Sequence, residues 1–392
     1  MPSPAPLSIE SLCAGFDIPT WVKEFDHAPG GKVVFGAGTL DTIGTEAQSL
    51  GAKRVLIVSD PGLVKTGTVD RARRAIEAEG IAVTVFDETR ENPTTRDVAR
   101  CVEAGRQAEA DLIVGLGGGS SMDTAKGCNF ILTNGGEMKD YQGIDLATKP
   151  MLPLIAVPTT SGTGSECQSF ALIAEIGTHL KMACGDKKAA AAVAILDPEL
   201  TLTMPTKVTA HTGIDAIAHA LETAVCNKRS DISSAYSRAA WQLLDAGLED
   251  VLRNPDSLEA RARMQLGAAF AGTAIENSML GIAHSCANPL TAHHGTVHGQ
   301  AVGTMLPHVI EFNRRDAEAA AIYDSLGGSQ DIAQRVRDHL RRAGMDASLG
   351  EQGLDLESLP QLAEEAAVQW TARFNPVTVT AADLEVVYRA AM

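Results

Sequence analysis

An α/β domain followed by an all-helical domain is the fold class that the sequence predicts. In the first half, short apolar runs alternate with amphipathic helical patterns, which is typical of a mostly parallel sheet with helices on both faces. From Pro205 onward, long Ala-rich and Leu-rich segments have helical spacing and few β-branched runs. The dipeptide Met204-Pro205 marks this change, so we place the two domains at residues 1–204 and 205–392.

Each predicted element is a short apolar run or a periodic pattern. Six apolar runs predict strands at residues 32–36, 54–59, 80–86, 111–115, 153–157 and 169–173. Helical periodicity in the first half predicts helices at residues 67–79 and 95–110. In the second half, the same periodicity predicts helices at residues 233–248, 258–274, 330–343 and 359–372.

Composition excludes several function classes. The chain has 392 residues, of which 45% are hydrophobic and 21% are charged, and this is typical of a folded globular protein. With 33 Lys and Arg against 49 Asp and Glu, the net charge is −16, which argues against broad binding to nucleic acid or to anionic membranes. The sequence contains no run of about 18 consecutive apolar residues, so we predict no membrane span.

The N-terminus and the cysteines indicate a reduced, cytoplasmic protein. The first residues are MPSPAPLSIESLCAGF, and they have neither the basic nor the apolar region of a signal peptide. We expect that they do not form a transit peptide either. The 7 cysteines are scattered and form no CxxC pair. We expect Trp21 and Trp370 to be packing residues rather than site residues.

A glycine-rich loop, GLGGGSSMDTAK at residues 115–126, follows a predicted strand and opens a predicted helix. Glycines let the backbone approach a ligand closely, and a helix N-terminus attracts an anion. We therefore expect the amides of Gly118, Gly119 and Ser120 to face a pyrophosphate, and we include Asp123 in this cofactor-binding set. A plain strand-to-helix turn is the alternative.

Two further positions extend the predicted nucleotide site. Asp60 closes the run RVLIVSD, where a carboxylate can accept hydrogen bonds from an adenosine ribose and repel a 2′-phosphate, which favours NAD over NADP. Asp60 could instead cap the helix after Pro61, and the residues alone favour neither role. The loop PTTSGTGSE at residues 158–166 follows another apolar strand and suits ribose, phosphate or nicotinamide, with an exposed polar turn as the alternative.

The second half contains a pattern typical of a metal site. Asp215 and His219, in GIDAIAHALE, are four residues apart, so both side chains lie on one face of a helix. One carboxylate with several imidazoles suits Fe(II) or Zn(II) with a position open for substrate. Taken singly, each of these residues could be a structural or surface residue. The residues alone also leave open which of four later histidines bind: His284, His293, His294 and His298.

The chain resembles the iron-containing (group III) alcohol dehydrogenases, which are related to glycerol dehydrogenase and dehydroquinate synthase. This resemblance extends from about residue 30 to about residue 310 and also includes VSDPGLVKTG at 58–67 and ENPT at 91–94. The main matching motifs are GGGSSMDTAK at 117–126, PTTSGTGSE at 158–166, LDPELT at 196–201, GIDAIAHALE at 213–222 and VHGQAVG at 297–303.

The resemblance implies a Rossmann-like parallel-sheet domain and a helical metal-binding domain of the dehydroquinate synthase type, with NAD in the cleft between them. It implies four metal ligands, and so selects two of the later histidines: Asp215, His219, His284 and His298. Fe(II) is the expected ion and Zn(II) the alternative. A homodimer or a larger homo-oligomer is also implied.

For the cofactor, the resemblance assigns Asp60 to the adenosine ribose and the loop at Gly118 to the pyrophosphate. It places further residues along the rest of the cofactor channel: Asn92, Thr159, Thr160, Thr163 and Lys181. An exposed surface lysine is the alternative for Lys181.

The chain departs from the family pattern at Asn288, where the family usually has a second histidine that relays the substrate proton. An amide can hydrogen-bond a substrate or a ribose, but it does not titrate near neutral pH. Either the proton leaves through water, the cofactor ribose, His293 or His294, or Asn288 binds a polar group of the substrate. A tolerated variant with lower activity is the third interpretation. We take Asn288 and His294 as the catalytic candidates.

These observations predict an NAD-dependent, metal-dependent alcohol dehydrogenase. Hydride would pass reversibly between a small primary alcohol and NAD. If Asn288 binds a substrate group, that alcohol is polar or hydroxylated. A maleylacetate-reductase-like or other reductase of the same fold is the alternative enzyme. The non-enzymatic alternative is a member of the same fold family that binds NAD and metal but has lost catalysis.

Overall fold

A parallel sheet forms the centre of the N-terminal half. The computed structural model describes residues 30–177 and 181–392. The strands within this part of the chain are β1 (Lys32–Phe35), β2 (Arg54–Val58), β3 (Ala82–Phe86), β4 (Leu112–Gly117), β5 (Gly143–Ile144), β6 (Leu154–Pro158), β7 (Phe170–Ala174), β8 (Lys181–Gly185) and β9 (Val193–Leu196). Six of them form one sheet in the order β1–β9–β6–β4–β2–β3, and all its neighbours are parallel.

Helices cover both faces of this sheet and form the whole C-terminal half. The first five are α1 (Ile43–Ser49), α2 (Pro61–Lys65), α3 (Thr68–Glu77), α4 (Thr95–Gln107) and α5 (Gly119–Asn134). The helices of the C-terminal half are α6 (Thr206–Val225), α7 (Asp231–Arg253), α8 (Leu258–Glu276), α9 (Ile282–His294), α10 (His298–Asn313), α11 (Ala317–Gly327), α12 (Ile332–Ala343), α13 (Leu359–Ala367) and α14 (Ala381–Ala390). The predicted fold class is therefore confirmed.

Alternation along the strands explains the two cores of the sheet. Side chains at successive strand positions point to opposite faces. In β2, Leu56 and Val58 belong to one buried cluster, whereas Val55 and Ile57 belong to the cluster on the other face. Every residue of the central strand β4 is buried, as expected for a parallel strand with helices on both sides.

The register of β4 and β6 brings their carboxyl ends together. Ile113 lies opposite Leu154 at one end of the pair, and Gly117 lies opposite Pro158 at the other. The glycine-rich loop and the PTTSGTGSE loop therefore leave the sheet side by side, at the edge where open parallel sheets bind ligands.

The run at residues 169–173 is a strand, but it lies outside the parallel sheet. This strand, β7, pairs antiparallel with β8 in a second sheet of the order β5–β8–β7. A parallel return to the first sheet needs a crossover of a dozen or more residues, usually with a helix. Between β6 and β7 the chain has only a 3-10 turn at Ser165–Cys167, so β7 joins the smaller sheet.

Other elements also differ from the sequence prediction, which did not include the strands β5 and β8. The strand β9 was not predicted, because its sequence follows an alanine run that is equally typical of a helix. The predicted helix at 359–372 ends at Ala367, and residues 369–371 leave the helix axis. Trp21 lies outside the described residues.

The C-terminal half has one helical core built around α6, nearly all of which is buried. The helices α7, α8 and α10 pack directly against it. Among the described residues, no helix combines the length and apolar character that crossing a bilayer requires.

Candidate active site

A pocket of about 350 Å³ lies between the carboxyl edge of the sheet and the helical half. Many of the residues predicted from the sequence line it. From the N-terminal half these are Asn92, Gly118, Gly119, Ser120, Asp123, Thr160, Thr163 and Lys181. From the helical half they are Asp215, His219, His284, Asn288 and His298. The nucleotide loops and the histidine cluster thus face one cavity.

Three helices bring the four predicted metal ligands together. Asp215 and His219 lie one turn apart on α6, His284 is in the first turn of α9, and His298 begins α10. The Nε2 atoms of the three histidines lie around a single carboxylate atom, Asp215 Oδ1. Their distances from it are 3.6 Å for His219, 3.4 Å for His284 and 3.6 Å for His298.

These distances fit one shared cation, although the group whose ligand atoms are all mutually close consists of Asp215, His284 and His298 without His219. A tetrahedral shell with bonds of about 2.1 Å keeps its ligand atoms about 3.4 Å apart. Ligand atoms of Asp215, His284 and His298 all lie within 4.8 Å of one another. Within the described residues, the buried atoms Asp215 Oδ1 and His284 Nε2 have no hydrogen-bond partner. Because buried polar atoms are rarely left unpaired, the donor set fits a divalent cation.

Glu222, one further turn along α6, supports the cluster from behind. His284 Nδ1 donates to Glu222 Oε2 at 2.5 Å, and the backbone N–H of Ala283 donates to Glu222 Oε1 at 2.7 Å. This contact leaves His284 Nε2 directed at the Asp215 carboxylate. A carboxylate that orients a histidine in this way is a common supporting group in metal sites.

The charges of the cluster favour a bound cation. Burial lowers the pKa of His298 to about 3, so this imidazole is neutral and free to act as a ligand. Burial also works to lower the pKa of His284, but Glu222 and Asp215 outweigh it and raise the value to about 9. Two buried carboxylates therefore hold a positive charge at His284, and a divalent cation can replace the proton there.

The two glycine loops contact each other at the mouth of the pocket. A Cβ atom on Gly119 would lie only 2.8 Å from Thr163 Cγ2, so a side chain there would displace Thr163. Gly118 precedes the first residue of α5, which places the amides of Gly119 and Ser120 in the first turn of that helix. This is the arrangement that binds phosphate at a helix N-terminus.

Asp60 has the capping role, which is one of the two roles that the residues left open. It caps α2 by accepting a hydrogen bond from the Leu63 N–H at 3.0 Å. Its second oxygen lies 3.5 Å from the position of a Cβ on Gly117, so the carboxylate also borders the glycine loop. The cap therefore uses one oxygen of the carboxylate and leaves the second for the predicted ribose contact.

A buried lysine ties the two loops to β7. Lys126 Nζ donates to the Ser165 carbonyl at 2.6 Å, to Ser165 Oγ at 2.9 Å and to the Phe170 carbonyl at 3.0 Å. The Ser165 hydroxyl in turn donates to Asp123 Oδ1 at 3.1 Å. Burial lowers the pKa of Lys126, and Asp123 is the nearby charge that opposes this most. The motif lysine thus positions the cofactor loops rather than lining the pocket.

Asn288 lines the pocket one turn after His284, and its amide Nδ2 donates to Gln369 Oε1 at 3.1 Å. The neighbouring Trp370 also lines the pocket, and its ring stacks on Phe170 with the centroids 5.7 Å apart. Trp370 is therefore both a packing residue, as expected, and part of the pocket wall, which was not expected.

Three predicted site residues do not line the pocket: Asp60, His294 and Thr159. His294 is exposed at the end of α9 and is not among the residues that line the pocket. Its neighbour His293 bonds Glu365 at 2.7 Å. Thr159 is buried, and its N–H donates to the Gly117 carbonyl at 2.9 Å, which joins the ends of β6 and β4.

Family models match both halves of the chain. A model described as iron-containing alcohol dehydrogenase matches residues 30–198, and one described as the C-terminal region of the same family matches residues 209–392. The chain belongs to the iron-containing alcohol dehydrogenase family. The resemblance seen in the sequence motifs is thereby confirmed.

Known members of this family resemble the chain over nearly its whole length. Alcohol dehydrogenase 4 of Schizosaccharomyces pombe is 33% identical over 367 residues, which cover 92% of this chain and 87% of the relative. A crystal structure of 1,3-propanediol oxidoreductase superposes with a TM-score of 0.90 at 30% identity, covering 94% of this chain and 100% of that one. Sulfoacetaldehyde reductase from Bifidobacterium kashiwanohense, solved with NAD⁺, gives a TM-score of 0.86 at 29% identity and covers 94% and 99%.

Sequence reasoning missed Glu222, which supports the cluster, and His211 and Gln369, which line this dehydrogenase pocket. Glu222 and His211 continue the face of α6 that carries Asp215 and His219, so the spacing 211–215–219–222 was an available signal. His211 lines the pocket, and burial together with the charge of Lys207 lowers its pKa. Gln369 had no such signal, because it lies in a segment whose periodicity predicted a continuous helix.

Proposed function

We propose that this chain is an NAD-linked, metal-dependent alcohol dehydrogenase that interconverts a small primary alcohol and its aldehyde. The observation that carries the proposal is the meeting of two sites in one pocket: the glycine loop after β4 and the cluster around Asp215 Oδ1. Membership of the iron-containing alcohol dehydrogenase family supports the same reaction. The NAD⁺ complex of sulfoacetaldehyde reductase supports the choice of cofactor.

The chain contributes binding and orientation. The first-turn amides of α5 would bind the pyrophosphate, and one carboxylate oxygen with three ring nitrogens would hold the cation: Asp215, His219, His284 and His298. When bound, a divalent cation supplies Lewis acidity at the alcohol oxygen and NAD supplies the hydride acceptor. Fe(II) is the ion that we propose, and Zn(II) accepts the same donors.

The pocket walls align the substrate and limit access of water. The stacked rings of Trp370 and Phe170 form an apolar wall beside the histidine cluster. Asn288 cannot take up the alcohol proton, because an amide does not titrate near neutral pH. Since His294 is exposed and does not line the pocket, we propose that this proton leaves to solvent or to the cofactor ribose.

Three further proposals concern the whole protein. We propose a homodimer or larger homo-oligomer, which is supported by the edge strand β1, where Val33 and Phe35 are exposed. Light scattering on the purified protein tests it. We also propose two domains at residues 1–204 and 205–392, and a cytoplasmic location. The unpaired cysteines among the described residues are compatible with that location.

The test is NADH oxidation by metal-stripped protein with a panel of small aldehydes, including hydroxylated and acidic ones. Each aldehyde is assayed anaerobically with and without added Fe(II). We expect turnover only after Fe(II) is added, and no turnover by the Asp215→Ala variant under the same conditions. Asp346→Ala, which changes an exposed aspartate, is the matched control and should behave as the unmodified protein.

Other outcomes would overturn parts of the proposal. Equal turnover with and without metal would show that the reaction does not depend on a metal ion. Tight binding of NADH and metal without turnover of any aldehyde would instead favour a different reaction or a binding role.

A further inference from the structure

A pair of amide side chains lies next to the histidine cluster. Asn288 and Gln369 both line the pocket, and Asn288 Nδ2 donates to Gln369 Oε1 at 3.1 Å. Asn288 is four residues after His284 on α9, so the two side chains lie on one helix face. Cβ atoms at this spacing are about 5–6 Å apart. A substrate whose alcohol group lies beside His284 can therefore reach the amide pair with an atom only a few bonds further along its chain.

The pair has hydrogen-bonding capacity left for a ligand. A primary amide offers two N–H donors and an oxygen with two lone pairs. Within the described residues, the hydrogen bond that joins the two side chains is the only one that either of them makes. Gln369 Nε2 and Asn288 Oδ1 thus remain as a donor and an acceptor at the pocket wall. A hydroxyl group, which donates once and accepts as well, matches both.

The segment that carries Gln369 is held in place on both sides. Thr371 is buried, and its hydroxyl pairs with that of Ser285 at 2.8 Å, beside the metal-ligand candidate His284. Trp370 stacks on Phe170 of β7. Gln369 is therefore positioned by contacts with both halves of the chain, as a specificity residue requires.

We propose that Asn288 and Gln369 bind a second, uncharged hydroxyl group of the substrate, so that a short-chain diol or hydroxyaldehyde is preferred over the plain alkanol. This inference rests on the proposed function. The amides are neutral, and a carboxylate or sulfonate at that point would need a cation. Lys181 is the lysine that lines the pocket, and its proposed place is the cofactor channel.

The test compares substrates of equal carbon number on the iron-loaded enzyme. The kcat/KM of NAD⁺-dependent oxidation is measured for 1,3-propanediol, 1-propanol and 3-hydroxypropanoate. The variants are Gln369→Leu and Asn288→Leu, with Gln361→Leu as the matched control. Gln361 is an exposed glutamine of α13, the helix that precedes Gln369. A ratio of two substrates is unaffected by the fraction of each variant that folds or binds metal.

We expect the unmodified enzyme to prefer 1,3-propanediol over 1-propanol by at least about tenfold, because an unpaired polar site rejects the substrate that lacks the hydroxyl. Both pocket variants should reduce that ratio at least about tenfold, mainly through KM of the diol, and Gln361→Leu should leave it unchanged. The double variant should lose no more than either single one, because the two amides act as a unit.

Four results would overturn the inference or its basis. A ratio that the pocket variants leave unchanged makes the amide pair a structural contact only. Preference for 3-hydroxypropanoate over both other alcohols makes the site one for anions. If the unmodified enzyme oxidises none of the three, the proposed function itself fails, whereas oxidation of 1-propanol without selectivity removes only the hydroxyl site.

Discussion

Glu222 Oε2 lies 2.5 Å from Nδ1 of His284, and this contact fixes which nitrogen of the histidine faces the cluster. With Nδ1–H donating to the carboxylate, Nε2 is left as the atom near Asp215. The other oxygen of Glu222 accepts from the Ala283 N–H, so the carboxylate also fixes the first turn of α9. One side chain thereby sets both the orientation and the position of a candidate ligand.

Removing the charge of Glu222 should weaken metal binding without removing a ligand. We expect Glu222→Gln to raise the dissociation constant for Fe(II) or Zn(II) by about 10–100-fold, the usual effect of losing a supporting carboxylate. Glu222→Ala should weaken it at least as much and also destabilise the fold, because the buried Ala283 N–H loses its acceptor. Competition with a chelator and thermal unfolding of the metal-free protein measure the two effects separately.

The control for this experiment is Glu365→Gln, which changes the partner of the exposed His293 on the same helix α9. It should leave metal affinity unchanged. An affinity unaffected by Glu222→Gln would show that His284 does not depend on this contact, or that it is no ligand.

Removal of Asp215 tests the cluster directly. In Asp215→Ala, the carboxylate at the centre of the three histidines is lost, so we expect bound metal to fall from about one ion per chain to near zero. Activity should fall at least about a thousandfold, while circular dichroism remains that of a folded protein. Metal analysis after desalting, with Asp346→Ala as the control, decides the point. Retained metal and activity would place the site elsewhere.

Local sequence was sufficient for the elements that depend on neighbouring residues. The glycine loop could be predicted because strand, glycines and helix follow one another, and the structure places Gly118 directly before α5. The pair Asp215 and His219 could be predicted because its spacing alone puts both on one helix face. Such features need no knowledge of the tertiary fold.

Features that depend on packing between distant segments could not be predicted in this way. His284 and His294 are equally plausible ligands from the residues alone, and only the fold places one at the pocket and the other in solvent. Gln369 reaches Asn288 because the helix stops at Ala367 although its apolar pattern continues. The strand β7 left the main sheet because no crossover helix precedes it, which is a constraint of topology.

Cofactor choice can be separated from helix capping at Asp60. We expect Asp60→Asn to retain the hydrogen bond from the Leu63 N–H, so that thermal stability changes little. Loss of the negative charge should raise the ratio of kcat/KM for NADP⁺ to that for NAD⁺ by about tenfold, since a 2′-phosphate is no longer repelled. Asp60→Ala should raise the same ratio and also lose about 1 kcal/mol of stability with the cap.

Steady-state kinetics with both cofactors and thermal unfolding provide the two readouts for Asp60. If neither variant alters the cofactor ratio, Asp60 is a helix cap only, and the ribose assignment is wrong.

A carboxylate outside the pocket, Asp245 of α7, should make stability depend on acid pH. Its Oδ1 accepts from Arg335 Nε at 2.6 Å and from His339 Nε2 at 2.6 Å, which ties α7 to α12. Burial works to raise the pKa of Asp245, but His339 and Arg335 outweigh it and hold the value below the ordinary one. Stability from a depressed carboxyl pKa is present above the unfolded-state value of about 3.9 and is lost as the pH falls through the folded-state value.

We therefore expect Asp245→Asn to be less stable than the unmodified protein by about 1–3 kcal/mol at pH 7, the range for hydrogen bonds to a charged group. That difference should start to shrink as the pH falls below about 4 and approach zero below the folded-state pKa, where neither protein carries the charge. Chemical unfolding of both proteins at several pH values measures this difference, and the comparison cancels the acid sensitivity of the rest of the chain.

The control is Arg341→Gln, which removes an ion pair with Asp338 on the same helix α12 and should change stability by less than about 0.5 kcal/mol. A difference for Asp245→Asn that stays constant down to pH 3 would show that the loss comes from packing rather than from the charge of Asp245.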